Sequence, residues 1–425
     1  MGLKRRTLLR MGGLAALGAL VPLPWILERR RRPPAGLARD PRGVLDLPPE
    51  FSYRVLDSTG EAMTDGFRVP GRPDGMGCFA GPQGTLILMR NHELDRGDKR
   101  APYAGRPPAE SYDANAPGSV TRLVLDGGTF QPKSSNLVLT GTIRNCAGGI
   151  SPWGWLSCEE TVVPGHGYVF VCRTDASKLE RPTRIPAYGR FNHEAACIDR
   201  ATAVAYLTED RADGCFYRFL PADPERPFEG QLQALRVVGQ QRLDTSLIRP
   251  GEKLAVDWID IPDPDPSVDS VRHQAHELGA AQFRRGEGAW FFETAAYFVC
   301  TSGGSANAGQ IFRVSAESAG RPSVLELVAE ARSSEQMDGP DNITFTPWGD
   351  AIVAEDGNGD QLVRGITQDG RFYDIARNAK SSGELAGVCM SPDGRALFLN
   401  MQVDGLTVAI TGPFRELGSS AKARV

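Results

Sequence analysis

Thr346-Pro347-Trp348-Gly349 and Ser391-Pro392-Asp393-Gly394 stand 45 residues apart, and each leads into a short apolar run, 351–355 and 396–402. Ser151-Pro152-Trp153-Gly154 repeats the pattern ahead of the run that ends at Cys158. Proline fixes φ in such a tetrapeptide and glycine tolerates a positive one, so each reads as a turn between hairpin strands. A single turn of this kind says little, but a recurrence at 45 residues has the spacing of propeller blades. Outward from these turns, strand-like segments separated by Gly, Pro, Asp or Asn fill the chain from residue 45: 84–89, 119–125, 153–158, 168–172, 203–208, 215–220, 289–293, 296–301 and 310–314, besides the runs already named. No long amphipathic helical pattern interrupts them. The expected fold is all-β, a β-propeller of six blades rather than a sandwich or a barrel, with 45–425 as one domain. Residues 221–271 read as a long, acidic, proline-rich excursion from one blade, in which Pro262-Asp263-Pro264-Asp265-Pro266 is exposed loop.

Composition fits that reading. With 425 residues, 41% hydrophobic and 24% charged, the chain is globular, which excludes disorder and fibre. Its 48 glycines and 31 prolines follow no Gly-X-Y period, so they mark turns. Residues 1–34 hold eight basic side chains against the single acid Glu28, a charge of +7, so the net −4 of the whole leaves −11 for the rest. An acidic body is unsuited to a nucleic-acid backbone as main partner, because phosphates demand a cationic surface. It suits a protein that collects cations.

The N-terminus reads as an export signal: Lys4-Arg5-Arg6-Thr7-Leu8-Leu9-Arg10 precedes an apolar run from Met11 to Leu27. The paired arginines are similar to a twin-arginine signal, which exports proteins already folded. Residues 1–44 are therefore expected to be signal and linker, or a short membrane anchor if the leader is retained. The expected location is periplasmic or secreted, reached through the twin-arginine machinery. The eight cysteines include no CxxC pair, so neither a zinc ribbon nor a thioredoxin motif is present. Cys172 and Cys300 sit inside apolar runs and read as buried thiols.

The chemistry lies in acidic clusters beside the strands: Asn91-His92-Glu93, Cys158-Glu159-Glu160, His193-Glu194, Glu209-Asp210-Arg211, Arg285-Gly286-Glu287, Asp341-Asn342, Glu355-Asp356 and Glu384. A propeller gathers strand ends around one mouth of its channel. Carboxylates gathered without cations would repel one another, so a convergent set implies bound metal. Five histidines and no HExxH speak against zinc, whereas many oxygen donors favour calcium, magnesium, manganese or ferric iron. Cys158 adds a soft donor that calcium would not choose, pointing to a transition metal beside the hard cations. His193 reads as a core imidazole beside the functional Glu194, and Trp153 and Trp155 as packing between blades.

The run Asn145-Cys-Ala-Gly-Gly-Ile-Ser-Pro-Trp-Gly-Trp-Leu-Ser-Cys-Glu-Glu160 resembles the signature of the PhoX family of bacterial alkaline phosphatases. Gly189-Arg-Phe-Asn-His-Glu194, Leu207-Thr-Glu-Asp-Arg211, Arg285-Gly-Glu-Gly288, Asp338-Gly-Pro-Asp-Asn342 and Ala354-Glu-Asp-Gly357 continue the resemblance over roughly 45–405. It implies an exported propeller phosphatase carrying two ferric ions (Fe3+) and calcium ions (Ca2+), with a cysteine thiolate bridging the irons. By position Cys158 is similar to that bridging ligand, Glu194 and Glu287 to carboxylate ligands, and Arg285 to the cation that holds substrate phosphate. Asn91, Glu93, Glu159, Glu160, Glu209, Asp341, Glu355 and Glu384 carry over as further calcium or iron ligands, not allocated to particular ions. The implied reaction is metal-assisted hydrolysis of a small-molecule phosphomonoester by a monomer, without a serine or lysine nucleophile. A calcium-dependent propeller lactonase, or a metal-stabilised binding propeller without activity, would share the carboxylates but call for neither the thiol nor Arg285.

Overall fold

The computed structural model describes residues 32–316 and 322–422. The export signal expected within 1–34 falls almost entirely outside the described residues, among which no helix is long and apolar enough to cross a membrane. Every segment read as a strand is one, to within three residues at either end. Among the described residues strands pair antiparallel throughout, and the α-helices are two short ones, Val271–Glu277 and Phe414–Lys422.

The arrangement is propeller-like and built from meanders. Pro73–Ala80, Thr85–His92, Gly118–Asp126 and Pro132–Thr142 pair in that order, and the pattern recurs along the chain. The first strands of the meanders are Pro73–Ala80, Asn145–Ser151, His193–Ile198, Gly286–Phe292, Pro340–Phe345 and Leu385–Met390. Each packs against the next, and the last against the first, closing a ring about an axis. The separate sheets number five because two meanders share an outer edge. The stretch 221–271 provides that edge and is not loop throughout: Gly230–Val237 and Lys253–Asp260 are paired strands, and 253–255 pair onward with 324–326 to give one nine-stranded sheet. Apolar and polar residues alternate in Gly230–Val237, as a half-buried strand requires, although its acidic and proline-rich flanks read as loop.

The sheets hold one another through large side chains. Phe216, Phe283, Phe298 and Phe312 share one buried cluster, with Phe216 stacked on Phe298 at 4.0 Å between ring centroids. Each such side chain contributes about 2–3 kcal/mol by its burial. Towards the axis the scale changes. A Cβ on Gly149 would lie 1.5 Å from the carbonyl oxygen of Ala196, and one on Gly75 would lie 2.5 Å from Cα of Ala147. Only glycine lets the inner strands approach this closely.

Both ends of the described chain take part in closure. Ser52–Ser58 pairs with Leu406–Thr411, and Leu45–Asp46 with Phe372–Asn378. Arg90, fully buried, fixes the first junction by a fork onto Asp57 (2.6 and 3.0 Å) and a hydrogen bond to Thr407. Arg377 fixes the second by donating from Nε to Asp46 at 2.8 Å. All eight cysteines are buried and unpaired, as read for Cys172 and Cys300.

Candidate metal centre

The inner strands open with a shared irregularity. Pro73 faces His92 but Met76 faces Arg90, so three steps on one strand meet two on its partner. The same slip follows the pairs Asn145–Glu159, His193–Glu209, Gly286–Cys300 and Pro340–Glu355. A β-bulge re-aims the side chain at which it occurs. The first residue inside each of these bulges is Asp74, Cys146, Glu194, Glu287 or Asp341, all buried at the ring. In the sixth inner strand the slip comes after Ala386, and the carboxylate is Glu384, just before the strand.

These side chains form three overlapping groups whose ligand atoms lie within 4.8 Å of one another: Cys146, Glu160 and Glu194; Glu194, Glu287 and Asp341; Asp74, Asp341 and Glu384. Glu194 and Asp341 each belong to two groups, so one thiol and six carboxylates make a continuous chain. Burial first, and then neighbouring carboxylates, push Asp74, Glu194, Glu287, Asp341 and Glu384 well above the usual range. Burial pushes Glu160 up to about 7 despite the Arg144 guanidinium. The Cys146 thiol is pushed up by burial and then by Glu194, and its hydrogen-bond partners are backbone carbonyls, that of His193 at 3.3 Å being the nearest. Among the described residues no arginine or lysine pairs with Asp74, Glu194, Asp341 or Glu384. Buried carboxylates without a cationic partner fit bound cations. Oxygen donors suit hard ions, and the sulfur suits a transition metal.

The structure places Cys146, not Cys158, in this chain. Cys158 is wholly buried in an apolar cluster with Leu156, Val169, Tyr188 and Leu207, and its contribution towards the centre is a backbone carbonyl facing the Cys146 sulfur. Cys158 lies inside Gly154–Glu159, the strand paired outside Asn145–Ser151, whereas Cys146 sits in the bulge that aims its side chain at the ring. Position also separates the acidic pairs. Glu160 faces the centre, whereas Glu159 turns away and accepts hydrogen bonds from the backbone of Ile143 and Gly167, each at 2.9 Å, and from His166 at 2.6 Å. Glu209 likewise accepts from the Cys215 backbone and Tyr217, and Glu355 from the Asp338 backbone and Arg364. Asn91 is also a brace: it donates to the carbonyls of Cys146 (2.9 Å) and Ala147 (2.6 Å) and accepts from the Trp155 indole. None of these four, Asn91, Glu159, Glu209 or Glu355, shares a group with the thiol. Glu93 lies at the rim, where it accepts from Arg144 and Gln402, each at 3.1 Å, and its charge helps to raise Asp74.

Arg285 stands over the second group. Its guanidinium forks onto Asp210 at 2.8 and 3.1 Å and donates to Glu287 at 2.8 Å, while the side chain keeps 39% of its exposure. His193 is a core imidazole, stacked on Phe191 at 3.6 Å and held down to about 3 by burial. Sequence reading did not single out Asp74, Cys146 or Arg144, and named Asp210 only within the cluster Glu209-Asp210-Arg211. A usable signal lay in the small residue after four of the five bulge residues, Gly75, Ala147, Ala195 and Gly288, with Asn342 after Asp341 the exception. Such residues let a bulge at the ring pack against its neighbour.

A ring of inner strands that aims carboxylates and one thiol at a common axis defines a metal-dependent β-propeller. The chain belongs to the family of alkaline phosphatase PhoX, whose model matches residues 34–131 and 129–405. It is thus a phosphoric monoester hydrolase acting on small phosphate esters. Pseudomonas fluorescens PhoX in complex with vanadate, a transition state analogue, shares the fold with a TM-score of 0.67 and 18% identity, over 87% of this chain and 96% of that one. More distant are a Xanthomonas campestris gluconolactonase (TM-score 0.45, 13% identity, 85% and 95% covered) and a periplasmic gluconolactonase of Pseudomonas aeruginosa (0.42, 16%, 83% and 90%). No curated protein matches in sequence.

Proposed function

We propose that this phosphatase works through a mixed iron and calcium centre, with iron at the end that holds Cys146, Glu160 and Glu194 and calcium at the oxygen-only end of Asp74, Asp341 and Glu384. Glu287 joins the two through its proximity to Glu194 and Asp341. The observation that carries this reading is the lone buried thiol, Cys146, within 4.8 Å of two buried carboxylates. A thiolate there is a poor choice for calcium and a good one for iron. Cys146 thereby takes the role expected of Cys158.

When bound, the cations supply Lewis-acid activation of the phosphoryl group and of the attacking water. Arg285, held through Nε and Nη2 by Asp210 and Glu287, presents its remaining Nη1 to a phosphoryl oxygen, where charge develops in the transition state. Asn91 and Glu159 hold the backbone on either side of Cys146, so that the sulfur is pre-set rather than mobile. The vanadate complex of the Pseudomonas fluorescens relative supports a site that accepts a phosphoryl-like group.

The nine-stranded sheet is best read as two blades with a common outer edge, which gives six blades within one catalytic domain, 45–425. The twin-arginine-like leader supports export in the folded, metal-loaded state to the periplasm or beyond, with membrane association if the leader is retained. The chain is read as a monomer. The test is turnover of p-nitrophenyl phosphate against a lactone by protein recovered after export, with calcium and iron measured and then chelated. Phosphate release that falls with chelation and returns with both metals is expected. Lactone turnover alone, or a fully metallated protein that hydrolyses neither, would overturn the reading.

A further inference from the structure

Two residues before each buried ligand of the inner strands stand Arg72, Arg144, Asn192, Arg285 and Gly339. Gly339 has φ 61°, a left-handed conformation that glycine adopts without strain. Arg72, Arg144 and Arg285 hold nearly the same conformation, with φ 46°, 51° and 55°, although a side chain makes it costly. Strain kept at equivalent points of a repeated structure marks side chains needed where they are. Arg285 already has a role there.

Arg144 mirrors Arg285 across Glu194. Arg285 donates from Nη2 to Glu287, and Arg144 donates from Nη2 to Glu160; both carboxylates belong to groups that contain Glu194. In each arginine Nε holds a rim carboxylate, Glu93 at 3.1 Å for Arg144 and Asp210 at 2.8 Å for Arg285. In each, Nη1 has no hydrogen-bond partner among the described residues. Both side chains are 39% exposed. Between them Asn192, at the same position of the strand that carries Glu194, donates to Glu160 at 2.9 Å.

We propose that Arg144 is the second arm of a phosphate clamp, presenting its spare Nη1 to one phosphoryl oxygen of the substrate while Arg285 presents its own to another, above Glu194. The proposal rests on the phosphatase reading, but binding of inorganic phosphate tests it independently of turnover. The probes are calorimetric titration of the metal-loaded full chain with inorganic phosphate, and the KM for p-nitrophenyl phosphate, in wild type, Arg144→Gln and Arg144→Lys, with iron and calcium measured in each. Loss of a charge-assisted contact predicts phosphate affinity about 10- to 100-fold weaker in Arg144→Gln, with KM raised similarly, at unchanged metal content. Arg144→Lys keeps a cation beside Glu160 but has no second donor nitrogen to offer the phosphate, so it should retain metal and still bind phosphate several-fold more weakly. Wild-type phosphate affinity in metal-loaded Arg144→Lys and Arg144→Gln would overturn the clamp and leave Arg144 a counter-charge for Glu160. Should wild type bind phosphate but hydrolyse no ester, the phosphatase reading fails while the affinity comparison still decides the clamp.

Discussion

Stripping the metals should make the protein's stability fall with rising pH more steeply than that of the loaded form. In the metal-free ring Glu160 titrates at about 7 against 4.5 for an ordinary glutamate, and Asp74, Glu194, Glu287, Asp341 and Glu384 shift in the same direction. A carboxyl raised on folding stabilises fully below its unfolded value and loses that contribution as pH climbs through the folded one. The loss for Glu160 therefore runs from about pH 4.5 to about pH 7. At about 1.4 kcal/mol per pKa unit, its shift corresponds to about 3 kcal/mol, or about 3 °C of melting temperature for a chain of this size. The other carboxylates add to the fall. Glu209 and Glu355, raised to about 7 away from the centre, lower both forms equally and cancel in the difference. Carboxylates held low, such as Asp113 and Asp126 at about 2, titrate below this window. The assay is scanning calorimetry of chelated and loaded protein at steps from pH 5 to 8. Parallel curves for the two forms would refute the reasoning, since they would mean that these carboxylates are not jointly buried or that cations do not relieve them.

Further expectations concern single residues. Cys146→Ala should lose iron by elemental analysis and keep calcium, whereas Cys158→Ala should keep both and cost about 1 kcal/mol in urea unfolding, as a small deletion in an apolar cluster. Arg285→Ala should lower kcat/KM for p-nitrophenyl phosphate by about 10- to 100-fold, the worth of a charge-assisted contact, without loss of iron. Gly149→Ala sets a methyl 1.5 Å from the Ala196 carbonyl oxygen and should destabilise the protein by about 3 kcal/mol in urea unfolding. Asn91→Ala, which frees two carbonyls beside Cys146, should reduce iron affinity by about 10- to 100-fold in competition with a chelator, a loss typical of removed outer-shell partners.

The remaining strands were legible because they are short apolar runs rich in β-branched and aromatic side chains and bounded by turn residues, as in 310–314 and 351–355. Five of the inner strands were not read at all: Pro73–Ala80, Asn145–Ser151, His193–Ile198, Pro340–Phe345 and Leu385–Met390. Crowding at the axis fills most of them with glycine, alanine and cysteine, which carry little strand signal. The acidic clusters pointed to the right region, but whether Glu159 or Glu160 faces the ions depends on register. For the same reason Cys158 was preferred to Cys146, although the two lie only twelve residues apart in the run that carried the family resemblance.

The pairing of Ser52–Ser58 with Leu406–Thr411 sets the order in which the molecule is finished. A nascent chain on the ribosome holds an open crescent until residue 411 has emerged. Asp74 and Glu384 sit on opposite lips of that crescent and meet only when the seam shuts. An ion held between them would act as a clasp, so metal capture would certify a completed ring, and an unfinished product would betray itself by its failure to retain the ion.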